Sequence, residues 1–317
     1  MRIDFAPLEG ITTFLFRNTH HALFGGADRY FTPFFSPAGE HIFTTKELRD
    51  VTPAHNDKMP VIPQIMTRHA ADFLWAAGEL AQMGYGQVNL NLGCPSGTVV
   101  GKGKGAGFLA HLQELDCFLE EIFSKTPVPV SIKTRLGIAD PAEFSKILEI
   151  YSKYPLEELI IHPRVQKEFY KGPLHRDVFD AVTCPFPLCY NGDLVTVEDV
   201  TAFAQTHPQI DAIMLGRGAV ADPALPRKLR GGPAATRAEV QTFTQTLYAG
   251  YREIYEQDRP AAQRMKEVWF YLIHLFADGE QYNKQMRRVS HPRQYEMLEA
   301  GIFRDLELLP APVGALI

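Results

Sequence analysis

Cysteine is scarce in this chain, and long apolar runs are missing from it. The four cysteines among 317 residues form no CxxC pair and no zinc-like spacing, which argues against a disulfide framework or a structural metal. No run reaches the roughly 18 apolar residues of a membrane helix, and the sequence opens without an apolar signal segment. We therefore expect free thiols, no metal, no membrane segment and a cytoplasmic protein.

An excess of positive charge is also missing. The formal net charge is −5, which argues against a uniformly basic nucleic-acid-binding surface but leaves room for a local basic face. No GxGxxG motif follows a strand-like run, so a resident dinucleotide-binding domain is not expected. Hydrophobic residues make up 45% and charged residues 22%, which is ordinary for a soluble globular chain.

Strand-like runs alternate with segments of helical apolar spacing. Eight runs are predicted as strands: Arg2–Pro7, Arg29–Phe35, Val61–Met66, Gln87–Leu92, Val128–Thr134, Glu158–His162, Pro187–Tyr190 and Asp211–Leu215. Helices are predicted between them at Phe14–Leu23, His69–Met83, Leu112–Phe123, Glu143–Tyr151, Val178–Val182 and Val197–Ala204. This alternation predicts an α/β fold, a (β/α)8 TIM barrel of parallel strands covered by helices.

The pattern changes after the breaker run Arg230-Gly-Gly-Pro233. Beyond it lie three helical runs and no clear strand: Val240–Glu256, Ala261–Phe276 and Arg293–Ala300. We therefore predict a catalytic barrel over residues 1–232, followed by a small C-terminal α-helical domain over residues 233–317.

One stretch, Gln87-Val-Asn-Leu-Asn-Leu-Gly-Cys-Pro95, places a thiol at the end of a predicted strand. Asn89 and Asn91 are two residues apart and share a face of that strand, and Cys94 lies just past its end. This arrangement suits a polar heterocycle bound beside an acid–base thiol. The alternative is that Cys94 is a small buried hydrophobic residue.

Each predicted strand also ends in residues able to bind or react: Pro7-Leu-Glu-Gly10, Gln64, Asn91, Lys133, His162, Asn191-Gly-Asp193 and Gly216-Arg217. In a barrel of this kind these ends converge on the rim that carries the active site. A chance run of polar strand ends is the alternative. Lys133 faces that mouth if Thr134 points outward; it would then meet an electron-rich cofactor ring or form a Schiff base.

The segments after the last two predicted strands are typical of phosphate binding. Asn191-Gly-Asp193 follows the seventh predicted strand and Gly216-Arg-Gly218 follows the eighth, where barrels of this type most often hold phosphate. Glycines let backbone N–H groups approach an anion, and Arg217 adds positive charge. Taken alone, Gly216 and Gly218 would be read as a tight turn.

Two basic segments are candidates for contact with an anionic polymer. Lys102 and Lys104 lie in a glycine-rich loop after the thiol, and Arg287 and Arg288 lie in the helical region. The loop is predicted either to close over an anionic substrate or to be an ordinary flexible loop. The helical region is predicted either to bind RNA or to pack Trp269 and Phe270 onto the barrel with its charges in solvent.

A series of motifs, in order along the chain, resembles those of the tRNA-dihydrouridine synthases. They are Ala6-Pro-Leu-Glu-Gly-Ile-Thr12, Pro63-Gln64-Ile, Asn91-Leu-Gly-Cys-Pro95, Lys133-Thr-Arg-Leu-Gly137, Ile161-His-Pro-Arg164 with Tyr170-Lys-Gly172, Asn191-Gly-Asp193 and Leu215-Gly-Arg-Gly-Ala219. Leu8 and Glu9 depart from the Met and Ala that are commoner in that family. The resemblance covers nearly the whole barrel, and the helical region is only loosely similar.

The resemblance implies an FMN-dependent enzyme that uses NADPH to reduce the C5–C6 double bond of uridines in tRNA. The flavin N5 would give hydride to C6, and Cys94 would protonate C5. The implied flavin-binding residues are Pro7, Leu8, Glu9, Gln64, Lys133, His162, Asn191, Gly192, Asp193, Gly216 and Arg217. The implied substrate-binding residues are Asn91 and Arg135, with Arg164, Lys102, Lys104, Arg287 and Arg288. A monomer is expected.

Two other functions stay open at this point. Flavin barrels such as dihydroorotate dehydrogenases act on a free pyrimidine and would not need the helical region. A non-catalytic RNA-binding relative that keeps only the scaffold is the second.

Overall fold

The structure is a computed structural model that describes residues 1–37 and 41–314, and its centre is a nearly closed barrel of parallel strands. The strands are β1 (Arg2–Phe5), β2 (Arg29–Phe31), β3 (Val61–Ile62), β4 (Gln64–Ile65), β5 (Val88–Leu92), β6 (Val130–Arg135), β7 (Leu159–His162), β8 (Leu188–Tyr190) and β9 (Ala212–Leu215). They pair in the order β3-β2-β1-β9-β8-β7-β6-β5-β4. The predicted TIM-barrel class is confirmed.

Helices surround the barrel and then continue beyond it. Those along the barrel are α1 (Phe14–Leu23), α2 (Thr45–Val51), α3 (Ala70–Gln82), α4 (Gly97–Val100), α5 (Leu112–Lys125), α6 (Phe144–Tyr151), α7 (Arg176–Asp180), α8 (Val197–Thr206), α9 (Arg217–Ala221) and α10 (Leu225–Leu229). The C-terminal helical region contains α11 (Arg237–Tyr255), α12 (Asp258–Leu272), α13 (Glu280–Arg287) and α14 (Pro292–Asp305). Nowhere in the described ranges is there a helix with the length and apolarity needed to cross a membrane.

The third predicted strand is divided in two by Pro63. Val61–Ile62 pairs with β2, whereas Gln64–Ile65 pairs with β5. Proline has no N–H to donate to a sheet ladder, so pairing is interrupted at that residue. Its carbonyl oxygen still accepts from the N–H of Asn89 at 2.9 Å. One continuous segment therefore serves both edges of the sheet, which is how eight predicted strands become nine.

Alternate residues along each strand face the barrel interior, where they form layers. The middle of the barrel holds a small apolar cluster that consists of Ala6, Phe31, Ile62, Ile160, Cys189, Ala212 and Met214. The layer nearest the strand C-termini is polar. Its residues lie two positions after those of the apolar cluster, on the same faces of the strands. In β6, for example, Thr134 turns outward and its hydroxyl meets that of Tyr151 on α6 at 3.0 Å, so Lys133 faces the interior.

The layer at the strand N-termini is a buried ion-pair network. Arg29 donates to both carboxylate oxygens of Asp4, at 3.0 and 2.6 Å, and to Glu158 at 2.7 Å. Arg2 also pairs with Glu158. Asp4 and Glu158 are almost fully buried, and burying such charges is costly unless they are paired in this way. This network fills the lower end of the barrel.

The C-terminal helical region packs directly on the barrel. The ring of Phe243 on α11 meets the ring of Phe16 on α1 edge to face, with centroids 5.4 Å apart. On α12, Arg264 donates to the carbonyl oxygen of Gly10, just beyond β1, at 2.7 Å. Buried residues of the barrel and of the helical region belong to one continuous hydrophobic cluster. The helical region therefore shares a core with the barrel and reaches its C-terminal rim.

Candidate active site

A cavity of about 280 Å³ opens at the C-terminal ends of the strands. The predicted site residues that line it are Pro7, Leu8, Glu9, Gln64, Asn91, Cys94, Lys133, Arg135, His162, Asn191, Gly192, Asp193, Gly216 and Arg217. Ligands of TIM barrels occupy this end of the barrel because the loops that follow the strands meet there. The structure thus brings these side chains into one compartment.

The backbone at Cys94 is held by the side chain of Asn91. Oδ1 of Asn91 accepts hydrogen bonds from the N–H groups of Gly93 and Cys94, both at 3.0 Å. The carbonyl oxygen of Cys94 accepts from the N–H of Ala106 at 3.1 Å. These bonds fix the turn after β5 and leave the thiol on the cavity wall.

The environment of the Cys94 thiol favours its protonated form. Burial raises its pKa, and this rise is opposed by the backbone N–H of Ser96 and by the positive charge of Arg135. A cysteine whose pKa is raised stays protonated at neutral pH. The positive charge of Arg135 acts in the other direction and favours the thiolate.

A chain of amides connects three adjacent strands beneath the thiol. Asn91 donates to Oε1 of Gln64 at 2.7 Å, Gln64 donates to Oδ1 of Asn89 at 2.8 Å, and Asn89 donates to the hydroxyl of Ser131 at 2.9 Å. All four side chains are buried. Because each amide orientation is fixed by its neighbour, Gln64 keeps one N–H for a ligand.

Lys133 places an ammonium group in the cavity, with no hydrogen-bond partner for it among residues 1–37 and 41–314. Burial, together with the nearby positive charge of Arg135, lowers its pKa to about 8. A lysine in such a place is stabilised by an anionic or electron-rich partner. The cavity is therefore suited to a ligand that carries such a group.

The ring of Tyr170 contacts two guanidinium groups at the cavity wall. The guanidinium carbon of Arg135 is 5.2 Å from its ring centroid, and that of Arg217 is 4.9 Å away. The imidazole of His162 stacks near the same ring, with centroids 6.0 Å apart. Arg135 is itself fixed because its Nε donates to the carbonyl oxygen of Gly93 at 2.9 Å. These contacts hold Tyr170, His162 and the two arginines together at the cavity wall.

Asp193 joins two arginines at the other end of the cavity. Its carboxylate accepts two hydrogen bonds from Arg164 and a further one from Arg217. Burial raises the pKa of Asp193, but the hydrogen bonds and charge of Arg164 and the charge of Arg217 outweigh it, so the net shift is downward. Nearby, Nδ2 of Asn191 donates to the carbonyl oxygen of Met214 at 2.7 Å, which connects β8 to β9.

Glu9, at the rim of the cavity, has a partner on α2. Its carboxylate accepts from Nζ of Lys46 at 2.6 Å, and both side chains are about half exposed. An exposed pair of this kind contributes little to stability. This departure from the commoner family residue therefore adds a charged pair beside the opening.

Some predicted site residues lie outside the cavity lining: Arg164, Lys102, Lys104, Arg287 and Arg288. Lys102 is exposed, and Lys104 donates to the hydroxyl of Ser36 at 2.8 Å. Between and after these lysines the backbone packs tightly, since a Cβ at Gly105 would lie 2.9 Å from the carbonyl oxygen of Cys94. This part of the chain therefore packs against the thiol segment.

Arg287 and Arg288 are exposed at the end of α13. The guanidinium carbon of Arg287 lies 4.6 Å from the ring centroid of Phe270 on α12. That ring contacts Tyr271 edge to face at 4.9 Å, and Tyr271 lines the cavity. Two successive ring contacts thus connect an exposed arginine to the cavity wall.

Tyr271 was missed by sequence reasoning, and Tyr170 was quoted within a motif without a role. Tyr271 adjoins two aromatic residues for which packing onto the barrel was weighed, and nothing in its spacing marks it as the one that reaches the site. Trp269 instead packs inside the helical region, where its indole N–H donates to Tyr295 at 3.3 Å. The docking of α12 at the rim decides which of these neighbours faces the cavity.

Comparison with known proteins shows similarity to one enzyme family over most of the chain. The model of the dihydrouridine synthase family matches residues 4–306. A probable tRNA-dihydrouridine synthase of Staphylococcus epidermidis is 30% identical over 233 residues, which cover 69% of this chain and 68% of that protein. A tRNA-dihydrouridine(16) synthase of Ralstonia nicotianae is 28% identical over 252 residues, 76% of each chain.

Among solved structures, the old yellow enzyme homologue from Zymomonas mobilis superposes with a TM-score of 0.50 and 14% sequence identity. The match covers 74% of this chain and 90% of that one. At this identity the likeness concerns the barrel fold alone. The family match, by contrast, includes the strand ends that form the cavity and most of the helical region, and this chain belongs to the dihydrouridine synthase family.

Proposed function

We propose that the protein is a tRNA-dihydrouridine synthase that reduces the C5–C6 double bond of uridines in tRNA, with FMN as cofactor and NADPH as electron donor. The observation that carries this proposal is the presence of two groups in one cavity: the protonated thiol of Cys94 and the ammonium of Lys133, which has no partner in the described part of the chain. Family membership supports the same reaction.

The residues present fit a flavin ring. A flavin offers electron-rich ring oxygens and nitrogens, and Lys133 offers a buried ammonium without a partner among the described residues. Gln64 adds one free N–H in a fixed orientation. Pro7 and Leu8, beside the end of β1, supply apolar wall on the rim. When bound, FMN would supply a hydride for C6 of uracil, using electrons from NADPH.

The opposite part of the cavity fits a phosphate. We propose that Asn191, Gly192, Gly216 and Arg217 hold the phosphate of FMN, because small residues there let backbone N–H groups come close to an anion. Position 192 has no room for a side chain, since a Cβ there would lie 2.8 Å from the hydroxyl oxygen of Tyr190. The carboxylate of Asp193 repels an anion, so we assign it the orientation of Arg217 and not direct contact with phosphate.

Cys94 is proposed as the general acid. It gives its proton to C5 of uracil, and its raised pKa keeps that proton in place until it is needed. The charge of Arg135 then stabilises the thiolate. Asn91 fixes the position of the thiol, and Arg135 is also proposed to contact the uracil. Tyr170, whose ring both guanidinium groups contact, is proposed to keep Arg135 and Arg217 in place.

We propose that the helical region binds the body of the tRNA. A uridine must leave the RNA stack to enter the cavity, at a cost of a few kcal/mol, and contacts elsewhere on the RNA offset that cost. Arg287 and Arg288 are exposed cations, and Arg287 is connected to the cavity wall through Phe270 and Tyr271. Lys102 adds an exposed charge beside the thiol segment.

Residues 1–232 and 233–317 remain our proposed division into catalytic and RNA-recognition domains. The shared core of α1 and α11 means that the two parts are proposed to differ in role while folding together.

The proposal is tested with the purified full-length protein. We expect it to be yellow, to contain FMN, and to form dihydrouridine in tRNA that lacks the modification when NADPH is supplied. Free uracil or uridine offered at the same concentration should not be turned over. A colourless protein that does not take up FMN would overturn the cofactor, and turnover of the free base without tRNA would favour an enzyme of the dihydroorotate dehydrogenase type.

A further inference from the structure

Arg164 is buried and does not line the cavity, yet its guanidinium group contacts two residues that do and the segment that carries a third. Nε donates to the carbonyl oxygen of Gly172 at 2.7 Å. Nη1 and Nη2 donate to the two carboxylate oxygens of Asp193 at 3.0 and 2.5 Å. Nη1 also donates to Nε2 of His162 at 3.1 Å. A guanidinium group engaged in this way has little left to offer a substrate.

The contact with His162 defines the state of its imidazole. A guanidinium group only donates, so Nε2 must accept and carries no proton. The proton of the neutral ring is then on Nδ1. Burial lowers the pKa of His162 well below its usual value, and the charges of Arg135, Lys133, Arg164 and Arg217 act in the same direction. A second proton is therefore disfavoured at neutral pH.

The remaining ring nitrogen is available to a ligand. His162 lines the cavity, and Nδ1 has no hydrogen-bond partner within residues 1–37 and 41–314. It is thus a donor on the cavity wall. The ring of Tyr170 stacks at 6.0 Å on the same imidazole, and the segment that carries Tyr170 is tied down by the bond from Arg164 to Gly172.

We propose that Arg164 is a positioning residue: it fixes His162 as an Nδ1–H donor toward the bound ligand and holds Tyr170 against that ring. Asp193 neutralises the charge of Arg164, and its two hydrogen bonds fix the plane of the guanidinium group. The identity of the ligand as FMN rests on the proposed function, whereas the state of the imidazole does not. Direct contact of Arg164 with the substrate, which the sequence suggested, is replaced by action through neighbours.

The tautomer is measured by nitrogen NMR of the full-length protein labelled with 15N-histidine, at neutral pH and without added ligand. His162→Gln identifies the signals of His162 among the 11 histidines. We expect Nδ1 to be protonated and Nε2 to be unprotonated in the wild type. Arg164→Gln should shift the ring toward the Nε2–H form or a mixture. A wild-type ring protonated on Nε2 would overturn the proposal, as would an Arg164→Gln ring identical to the wild type.

Arg227→Gln is the matched control for Arg164→Gln. Arg227 makes a similar set of bonds, two to the carboxylate of Glu239 and one to the carbonyl oxygen of Pro233, but lies outside the cavity lining. It should lose comparable stability and leave the His162 signals unchanged. A change in those signals on Arg227→Gln would mean that general loosening of the fold moves the tautomer.

A second measurement does not depend on how well the Arg164 variant folds. In His162→Asn the amide N–H can take the place of Nδ1–H, whereas in His162→Gln the amide reaches toward Arg164 in the place of Nε2. FMN affinity, followed by quenching of flavin fluorescence, should fall by about tenfold or more in His162→Gln and less in His162→Asn. The reverse order would overturn the proposal. If the wild type fails to bind FMN while the tautomer is as expected, the proposed cofactor fails and the positioning role stands.

Discussion

Asn91 holds Cys94 through a single side-chain oxygen. That oxygen accepts the backbone N–H of Cys94 at 3.0 Å, while the amide nitrogen of the same side chain donates to Gln64 at 2.7 Å. The position of the thiol is thereby tied to the amide chain that crosses three strands of the barrel. A reactive group on a loop is placed by rigid elements below it, which is what proton transfer to a defined carbon requires.

Removal of the thiol should separate proton transfer from the rest of the reaction. In Cys94→Ala we expect FMN content and flavin reduction by NADPH to match the wild type, because the thiol acts only when C5 is protonated. Dihydrouridine formation should fall by roughly a hundredfold or more, the usual contribution of a general acid. Stopped-flow absorbance of the flavin beside a dihydrouridine assay measures the two steps.

Cys117→Ala is the control for that experiment, since Cys117 is an exposed free thiol on α5. It should leave both steps unchanged. Normal product formation by Cys94→Ala would remove Cys94 from the proposed chemistry.

The pKa of Lys133, lowered to about 8, predicts how ligand affinity depends on pH. Below that pH the free protein already carries the ammonium, so affinity for FMN should be level. Above it the proton must be recovered on binding, and affinity should weaken as pH rises from about 8 toward 9.5. Lys133→Met should bind more weakly, with a flat profile over this window. Fluorescence titrations at several pH values give both profiles, and a wild-type affinity that stays level to pH about 9.5 would contradict the prediction.

The same shift has a consequence for stability without ligand. Between pH about 8 and 10.5 the unfolded lysine keeps a proton that the folded one has lost, so the contribution of Lys133 to the free energy of unfolding rises across that window. The difference in free energy of unfolding between wild type and Lys133→Met, measured by denaturant titration, should therefore change across this pH window. The difference should favour the wild type more as pH increases.

Charge removal at Arg287 and Arg288 should weaken tRNA binding without changing flavin content. Each cation that contacts a phosphate contributes about one to the slope of log affinity against log salt concentration. The double change to Ala should therefore lower that slope by about one to two. Filter binding or fluorescence anisotropy at several salt concentrations measures it.

The matched control removes two exposed cations at the other end of the barrel, Lys125 and Arg230. It alters net charge by the same amount and should leave the slope in place. Equal losses in the two double variants would mean that only overall charge matters, and an unchanged affinity in the first would exclude these arginines from the tRNA-binding surface.

The contact between Phe16 and Phe243 predicts that barrel and helical region unfold together. Phe243→Ala should lower the free energy of unfolding by about 3 to 5 kcal/mol, the usual cost of an aromatic cavity in a core. Near-UV and far-UV circular dichroism should report one transition. Met297→Ala, at a side chain that is 73% exposed, should change little. Two separate transitions, with only one moved by Phe243→Ala, would show that the halves fold independently.

The barrel could be predicted from the sequence because each of its units follows a local rule. Short strand-like apolar runs that alternate with helical segments marked the strands, and α1 was predicted with the bounds that the structure has. The split at Pro63 was not predicted, although the absence of its N–H is a sequence-level fact, because the pairing of each half with a different neighbour appears only when the barrel closes.

The lining of the site followed from the barrel, and the networks behind it did not. Lys133 lies on a strand whose alternation sets which way it points, and Cys94 follows directly after a strand. Arg164 lies two residues past His162, and its bond to Asp193 connects the ends of two different strands. No spacing along the chain encodes such a contact. Tyr271 was missed for the same reason, and α13 was missed because its sequence is largely polar.

The salt-bridged floor beneath the apolar layer of the barrel has a kinetic consequence. Arg29, paired with Asp4 and Glu158, occupies the N-terminal end of the barrel, whereas the cavity opens at the C-terminal end. The proposed NADPH and tRNA would then reach the flavin through the same opening. They would bind in turn, each leaving before the other enters. An enzyme built so should show the parallel double-reciprocal lines of alternating substrates, with each reactant inhibiting the half-reaction of the other at high concentration.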